Sequence, residues 1–65
     1  MRVDCMVKDL LPGDVLLASG KVIHSVILGA RDGKATVHYK TRKGSMLAGW
    51  WNLNTRIAVE RNSNA

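Results

Sequence analysis

The sequence predicts an all-β fold, a small five- or six-stranded, partly open barrel built on an antiparallel meander. Short segments alternate apolar with polar residues, and turns containing glycine or asparagine separate them. No stretch combines a helical period with capping residues. A chain of 65 residues has room for one domain. We therefore predict a single domain over residues 1–61 and a polar tail over residues 62–65.

Each element follows from local chemistry. Alternation over residues 2–8 predicts a half-buried strand with Val3, Cys5 and Val7 on its inner side. Pro12 and Gly13 then predict a tight turn. Further turn residues separate strands that we place at residues 14–18, 21–30, 34–41, 45–51 and 56–60.

The hairpin loops determine which strand residues share a face. We treat residues 32–33, 43–44 and 53–54 as two-residue loops, which fixes the pairing of the last four strands. The predicted core face then contains Val22, Val26, Leu28, Val37, Tyr39, Met46, Ala48, Trp50, Ile57 and Val59. The opposite face contains Ile23, Ser25, Ile27, Thr36, His38, Lys40, Leu47, Gly49, Trp51 and Arg56. Trp50 is predicted inside and Trp51 outside because neighbours in a strand alternate.

The segment Asp9-Leu10-Leu11-Pro12-Gly13-Asp14-Val15-Leu16 precedes a glycine turn and a strand rich in Val and Ile. This pattern resembles the opening of SH3-like small barrels of the KOW and Tudor kind, and the resemblance covers most of the chain. The short basic chain also resembles small proteins of bacteriophages. The resemblance implies an SH3-like barrel and, for a phage accessory protein, a location in the host cytoplasm.

Catalytic arrangements are missing from the sequence. The serines lie in no nucleophile-elbow context, and no glycine-rich phosphate-binding motif is present. His24 and His38 point to opposite faces in the predicted register, so they would not share a metal ion. We therefore predict a non-enzymatic binding module without a cofactor, a metal or a small-molecule substrate.

A cytoplasmic protein is expected from two further features. Cys5 is the only cysteine, so an internal disulfide cannot form. The sequence shows neither a signal peptide nor an apolar run of about 20 residues, so we expect no membrane partner.

Basic residues make nucleic acid the first candidate partner. Lys and Arg number 10 against 5 Asp and Glu, which gives a net charge of +5. Five of the basic residues cluster within thirteen positions: Arg31, Lys34, Lys40, Arg42 and Lys43. Together with Thr36, His38 and Trp51 they would form a basic and aromatic groove for nucleic acid. A merely solvated charged rim is the simpler interpretation of the same residues.

The predicted outer face also suggests a second class of partner. Trp51, Ile27 and Leu47 would form an exposed apolar patch with Arg56 beside the tryptophan. Such a patch fits a protein partner or a second copy of the chain. Burial of the patch under another segment of the chain is the structural alternative.

Overall fold

The computed structural model confirms the all-β class; it describes residues 1–61, with residues 30 and 31 described through their backbone alone. Within that range it has six strands and one 3-10 turn, at Val7–Asp9. The strands are β1 (Arg2–Met6), β2 (Val15–Leu16), β3 (Val22–Arg31), β4 (Lys34–Lys40), β5 (Met46–Asn52) and β6 (Arg56–Glu60). No helix in residues 1–61 has the length and apolar character needed to cross a membrane. The tail predicted at residues 62–65 lies outside the described residues.

All six described strands belong to one antiparallel sheet with the order β1-β6-β2-β3-β4-β5. The sheet is not closed into a barrel, and β1 and β5 are its two edges. Strands β2 to β5 form a meander of sequential neighbours. The predicted pairing of β6 with β5 is wrong, because β6 lies between β1 and β2.

The position of β6 follows from what its side chains cover. After β5, the Leu53 N–H donates to the Gly33 carbonyl at 3.1 Å, and the Val7 N–H donates to the Thr55 carbonyl at 3.0 Å. The chain thus crosses from β5 to the far edge of the sheet. Val59 is completely buried there, opposite Val3 of β1. A β6 strand beside β5 would not bury Val59 against these residues.

Two irregularities shape the β3–β4 hairpin. The predicted turn at residues 32–33 is confirmed, since Arg31 pairs with Lys34. Leu28 then lies opposite Ala35, an offset of two residues that keeps each side chain on its predicted side. A further single-residue bulge falls between Ile23 and Ser25 and exchanges the two faces.

That bulge corrects the prediction for the start of β3. Ile23 was expected outside and Val22 inside. Ile23 instead lies opposite Tyr39 and is buried, whereas Val22 is exposed.

The loop between β4 and β5 is one residue longer than predicted. The Thr41 N–H donates to the Ser45 carbonyl and the Gly44 N–H donates to the Thr41 carbonyl, both at 2.9 Å. Gly44 has a φ of 90°, the left-handed value that closes a three-residue hairpin loop. The extra residue shifts β5 by one position, so Trp50 lies opposite Thr36 and Trp51 opposite Ala35.

The core therefore differs from the predicted face. Its buried apolar residues are Val7, Leu10, Leu16, Ile23, Ala35, Val37 and Val59. Half-buried residues packed against them are Val3, Cys5, Val26, Tyr39, Trp51, Leu53 and Ile57. The predicted core positions of Val26, Val37, Tyr39, Ile57 and Val59 are confirmed. Those of Val22, Met46, Ala48 and Trp50 are wrong, since all four lie on the opposite face and are exposed. Leu28 keeps its predicted side but is exposed as well.

A buried ion pair joins the end of β6 to the turn before β2. The Asp14 carboxylate is 1% exposed and accepts hydrogen bonds from Arg61 Nε at 2.9 Å and Nη2 at 2.7 Å. It also accepts the Leu11 N–H at 2.9 Å. Burial favours the neutral acid, but these hydrogen bonds and the guanidinium charge outweigh it and lower the pKa of Asp14.

Candidate functional site

The side of β3, β4 and β5 that points away from the core, called the outer face below, is the candidate site. Strand β4 contributes a polar row down its middle, and β3 and β5 flank that row with largely apolar side chains. The row consists of Lys34, Thr36, His38 and Lys40. The flanking residues are Val22, Ser25 and Ile27 from β3 and Met46, Ala48, Trp50 and Asn52 from β5.

Trp50 is the exposed aromatic residue of this face. Its side chain is 58% exposed, and it lies opposite Thr36, which in turn lies opposite Ile27. A recess of about 290 Å³ lined by Thr36, Ala48, Gly49 and Trp50 adjoins the ring. A planar ligand group can therefore stack on the indole while its edge occupies the recess.

Positive charge lies at both ends of the polar row. Lys34 and Lys40 are six residues apart on β4, which separates their Cα atoms by about 20 Å. Lys43 is exposed in the adjoining loop. Arg42 of the same loop is exposed too, but its stem packs on Gly20, where a Cβ atom would lie 3.0 Å from Arg42 Nε. Arg42 thus packs against the turn that precedes β3 as well as lying in its own loop.

Three of the five acidic residues are paired away from this face, and Asp32 lies in the exposed β3–β4 turn, two positions from Lys34. Asp14 is bound by Arg61, the Asp4 carboxylate lies 3.5 Å from Arg2 Nε, and Glu60 pairs with the N-terminal amine of Met1. These pairs involve β1, β6 and the turn before β2. None of the outer-face residues is acidic, and within the described chain Lys34, Lys40 and Lys43 form no ion pair. The outer face therefore carries uncompensated positive charge.

The structure brings together only part of the predicted site. Lys34, His38, Lys40 and Ile27 lie on the outer face, with Lys43 beside it. Lys40 and Lys43 are exposed, whereas Lys34 and His38 are half-buried. Arg31 lies opposite Lys34 at the β3–β4 turn, and its backbone alone is described.

Three predicted site residues lie elsewhere. Trp51 and Leu47 are on the core side of β5, opposite Ala35 and Tyr39, so the predicted Trp51/Ile27/Leu47 patch is not assembled. Arg56 lies in β6 opposite Met6, and three strands separate it from β5. It lines a second recess, of about 490 Å³, whose rim also includes Arg2 and Leu17.

Trp51 packs against neighbouring residues of its own sheet. Its ring centroid is 5.5 Å from that of Tyr39, with the planes tilted by 35°, and the Lys21 Nζ lies 4.9 Å from the Tyr39 ring centroid. The indole also covers Gly49, where a Cβ atom would lie 3.1 Å from Trp51 Nε1. A side chain at position 49 would press on the indole, so glycine gives the ring room.

Sequence reasoning missed Trp50 as the outward aromatic residue. The signal that identifies it is the segment Thr41-Arg42-Lys43-Gly44-Ser45, with glycine at the third loop position, which is typical of three-residue hairpin loops. The Asp14–Arg61 ion pair, which lies away from the outer face, has no comparable signal in the sequence.

Reactive groups are scarce in the described part of the chain. No three His, Cys, Asp or Glu side chains in it stand close enough to hold a metal ion. Burial raises the pKa of the Cys5 thiol, and nearby Asp14 and Asp9 raise it further against an opposing effect of Arg61. A raised pKa favours the protonated thiol, which is a poor nucleophile.

Comparison of the chain with protein-family models, with curated proteins and with solved structures gives no match. The SH3-like and bacteriophage resemblances stay sequence-based predictions.

Proposed function

We propose that this protein is a non-enzymatic binding module that holds single-stranded nucleic acid on its outer face. Lys34, Lys40 and Lys43 would neutralise backbone phosphates, and Trp50 would stack on a base. Thr36 and His38, between the two ends of the row, supply hydrogen-bonding groups.

The observation that supports this proposal most is the separation of charge across the molecule. Three of the five acids, Asp4, Asp14 and Glu60, are paired at the β1–β6 end of the sheet. At its other end, the exposed indole of Trp50 lies on a face whose lysines have no acidic partner. Phosphate contacts together with base stacking require this combination. An exposed tryptophan in an uncharged surface would favour a protein ligand instead.

The test compares two variants that remove the same charge from different ends of the sheet. The first replaces Lys34 and Lys40 with Ala, and its matched control replaces Lys8 and Arg56 with Ala. Binding of a fluorescent 12-nucleotide single strand is measured by anisotropy over a range of salt concentrations.

The expected result is steep salt dependence in the parent. Losing two phosphate contacts should reduce the slope of log affinity against log salt by about 1.4 in the Lys34/Lys40 variant. The control should keep the parental slope. Equal reductions of this slope in both variants would mean that net charge alone attracts the strand.

A protein ligand is the competing function, because Ile27, Met46 and Trp50 add exposed apolar surface to the same face. An apolar interface responds weakly to salt. If the unmodified protein does not bind the single strand at low salt, nucleic-acid binding is excluded and protein binding becomes the favoured function.

A further inference from the structure

The two edges of the described sheet differ in how well they are protected against pairing with another strand. Edge strand β1 has five residues, carries Arg2 and Asp4, and is tied down where the N-terminal amine bonds the Arg61 carbonyl. Edge strand β5 has seven residues and includes neither a charge nor a proline. Charges and shortness are the usual protection of an edge, so β5 is the unprotected one.

Exposed apolar side chains concentrate on the same strand. Nine large apolar side chains are exposed in residues 1–61, and Met46, Leu47 and Trp50 of β5 account for three of them. Met46 and Trp50 project from the outer face and Leu47 from the core side. Apolar side chains on both faces of β5 would therefore be buried when another strand lies beside it.

The hydrogen-bond pattern determines which backbone groups face the open edge. The Thr41–Ser45 hydrogen bond makes these two residues a bonded pair, so bonded pairs continue at every second position along β4 and β5. The intervening β5 residues, among them Met46 and Ala48, direct their N–H and C=O groups away from β4. No strand in residues 1–61 lies on that side of β5.

We infer that β5 pairs antiparallel with β5 of a second copy of this chain, about a two-fold axis at Gly49. Pairing centred on Gly49 uses all seven residues and brings edge-directed backbone groups opposite one another. It places Ala48 opposite the partner's Trp50 and Leu47 opposite the partner's Trp51. Small residues then meet large ones on the outer face, and Leu47 gains an aromatic neighbour.

The symmetry of this register favours a second copy over a foreign strand, because the same residues of β5 meet from both sides. Each chain carries a net +5, so two copies can approach closely only where neither presents charge, and β5 is such a place. A strand recruited by electrostatic attraction would instead be acidic and would find no basic partner on β5 itself. Self-association is also a common source of stability in domains of this size.

Dimerisation through β5 would double the outer face. A two-fold axis perpendicular to the sheet leaves both outer faces on the same side, as in any antiparallel pair. The polar rows on the two β4 strands would then lie about 14 Å apart, with both Trp50 rings between them.

The experiment measures molar mass by sedimentation equilibrium for the parent and two matched variants, in nuclease-treated protein free of nucleic acid. Leu47→Lys places a charge on the β5 edge, and Leu17→Lys makes the same change in the turn after β2. Both leucines are 47% exposed, so the two variants differ in position rather than in burial.

The parent and Leu17→Lys should be dimeric and Leu47→Lys monomeric. Raising the salt concentration should strengthen the parental dimer, because it screens the repulsion between two basic chains. A parent that stays monomeric at high salt and high concentration would overturn the inference, as would equal masses for the two variants. If Leu47→Lys does not fold, Met46→Lys replaces it, because Met46 lies on the same edge, is 51% exposed and should likewise give a monomer.

Discussion

At the scale of single residues, two adjacent tryptophans have separate roles. Trp51 covers Gly49 and packs beside Tyr39 at the margin of the core, whereas Trp50 is exposed on the outer face. One shift of register by a single residue exchanges these environments. The assignment of the two rings therefore tests the β5 register.

Replacement of each tryptophan by alanine should give opposite results. Trp51→Ala removes a half-buried ring packed on the core and should lower the free energy of unfolding by about 2–4 kcal/mol. Trp50→Ala removes an exposed ring and should change it by less than about 1 kcal/mol. Urea unfolding followed by circular dichroism measures both. A larger loss of unfolding free energy in Trp50→Ala than in Trp51→Ala would support the β5 register expected from a two-residue loop.

At the scale of elements, sequence patterns locate strands and turns well but determine register poorly. Turns at residues 32–33 and near Gly44 are where the glycines predict them. The bulge beside Ile23 and the third residue of the Gly44 loop each shift one strand by a single position. A one-residue shift exchanges the faces of a strand, so small local differences moved Val22, Ile23, Trp50 and Trp51 to opposite sides.

The pairing of β6 was predicted wrongly for a different reason. Its place between β1 and β2 depends on contacts between the two ends of the chain, which local periodicity does not encode. The same holds for the candidate site. Its basic residues on β4 and the adjoining loop were predictable, because they lie close together in the sequence. The aromatic residue beside them depended on the loop length.

The Asp14–Arg61 pair joins two elements distant in sequence and should make stability depend on pH. The pKa of Asp14 is lowered in the folded protein, so the stabilisation is complete above its unfolded value of about 3.9. It is lost as the pH falls through the lower, folded value.

Melting temperatures of the parent and Asp14→Asn measured from pH 7 to pH 2 test this dependence. The variant should be less stable at pH 7, and its difference from the parent should shrink below about pH 4. Asp32→Asn, at the exposed β3–β4 turn, controls for removal of a negative charge. A difference that stays constant over the whole range would show that the ion pair contributes nothing.

At the scale of the whole molecule, one end of the sheet contains the ion pairs and the other end presents a surface. Ion pairs around β1, β6 and the turn before β2 compensate Asp4, Asp14 and Glu60. The outer face has no acid and combines lysines with an exposed indole. This separation is the physical basis of the proposed function, and pairing through β5 would extend the same surface.

The most direct measurement follows each tryptophan separately while a single-stranded oligonucleotide is added. Trp51→Phe leaves Trp50 as the only emitter, and Trp50→Phe leaves Trp51. Base stacking should quench the fluorescence of Trp50 in the first variant, and the emission of Trp51 should stay nearly constant in the second. Quenching of Trp51 without quenching of Trp50, or no response from either tryptophan, would contradict a nucleic-acid surface centred on Trp50.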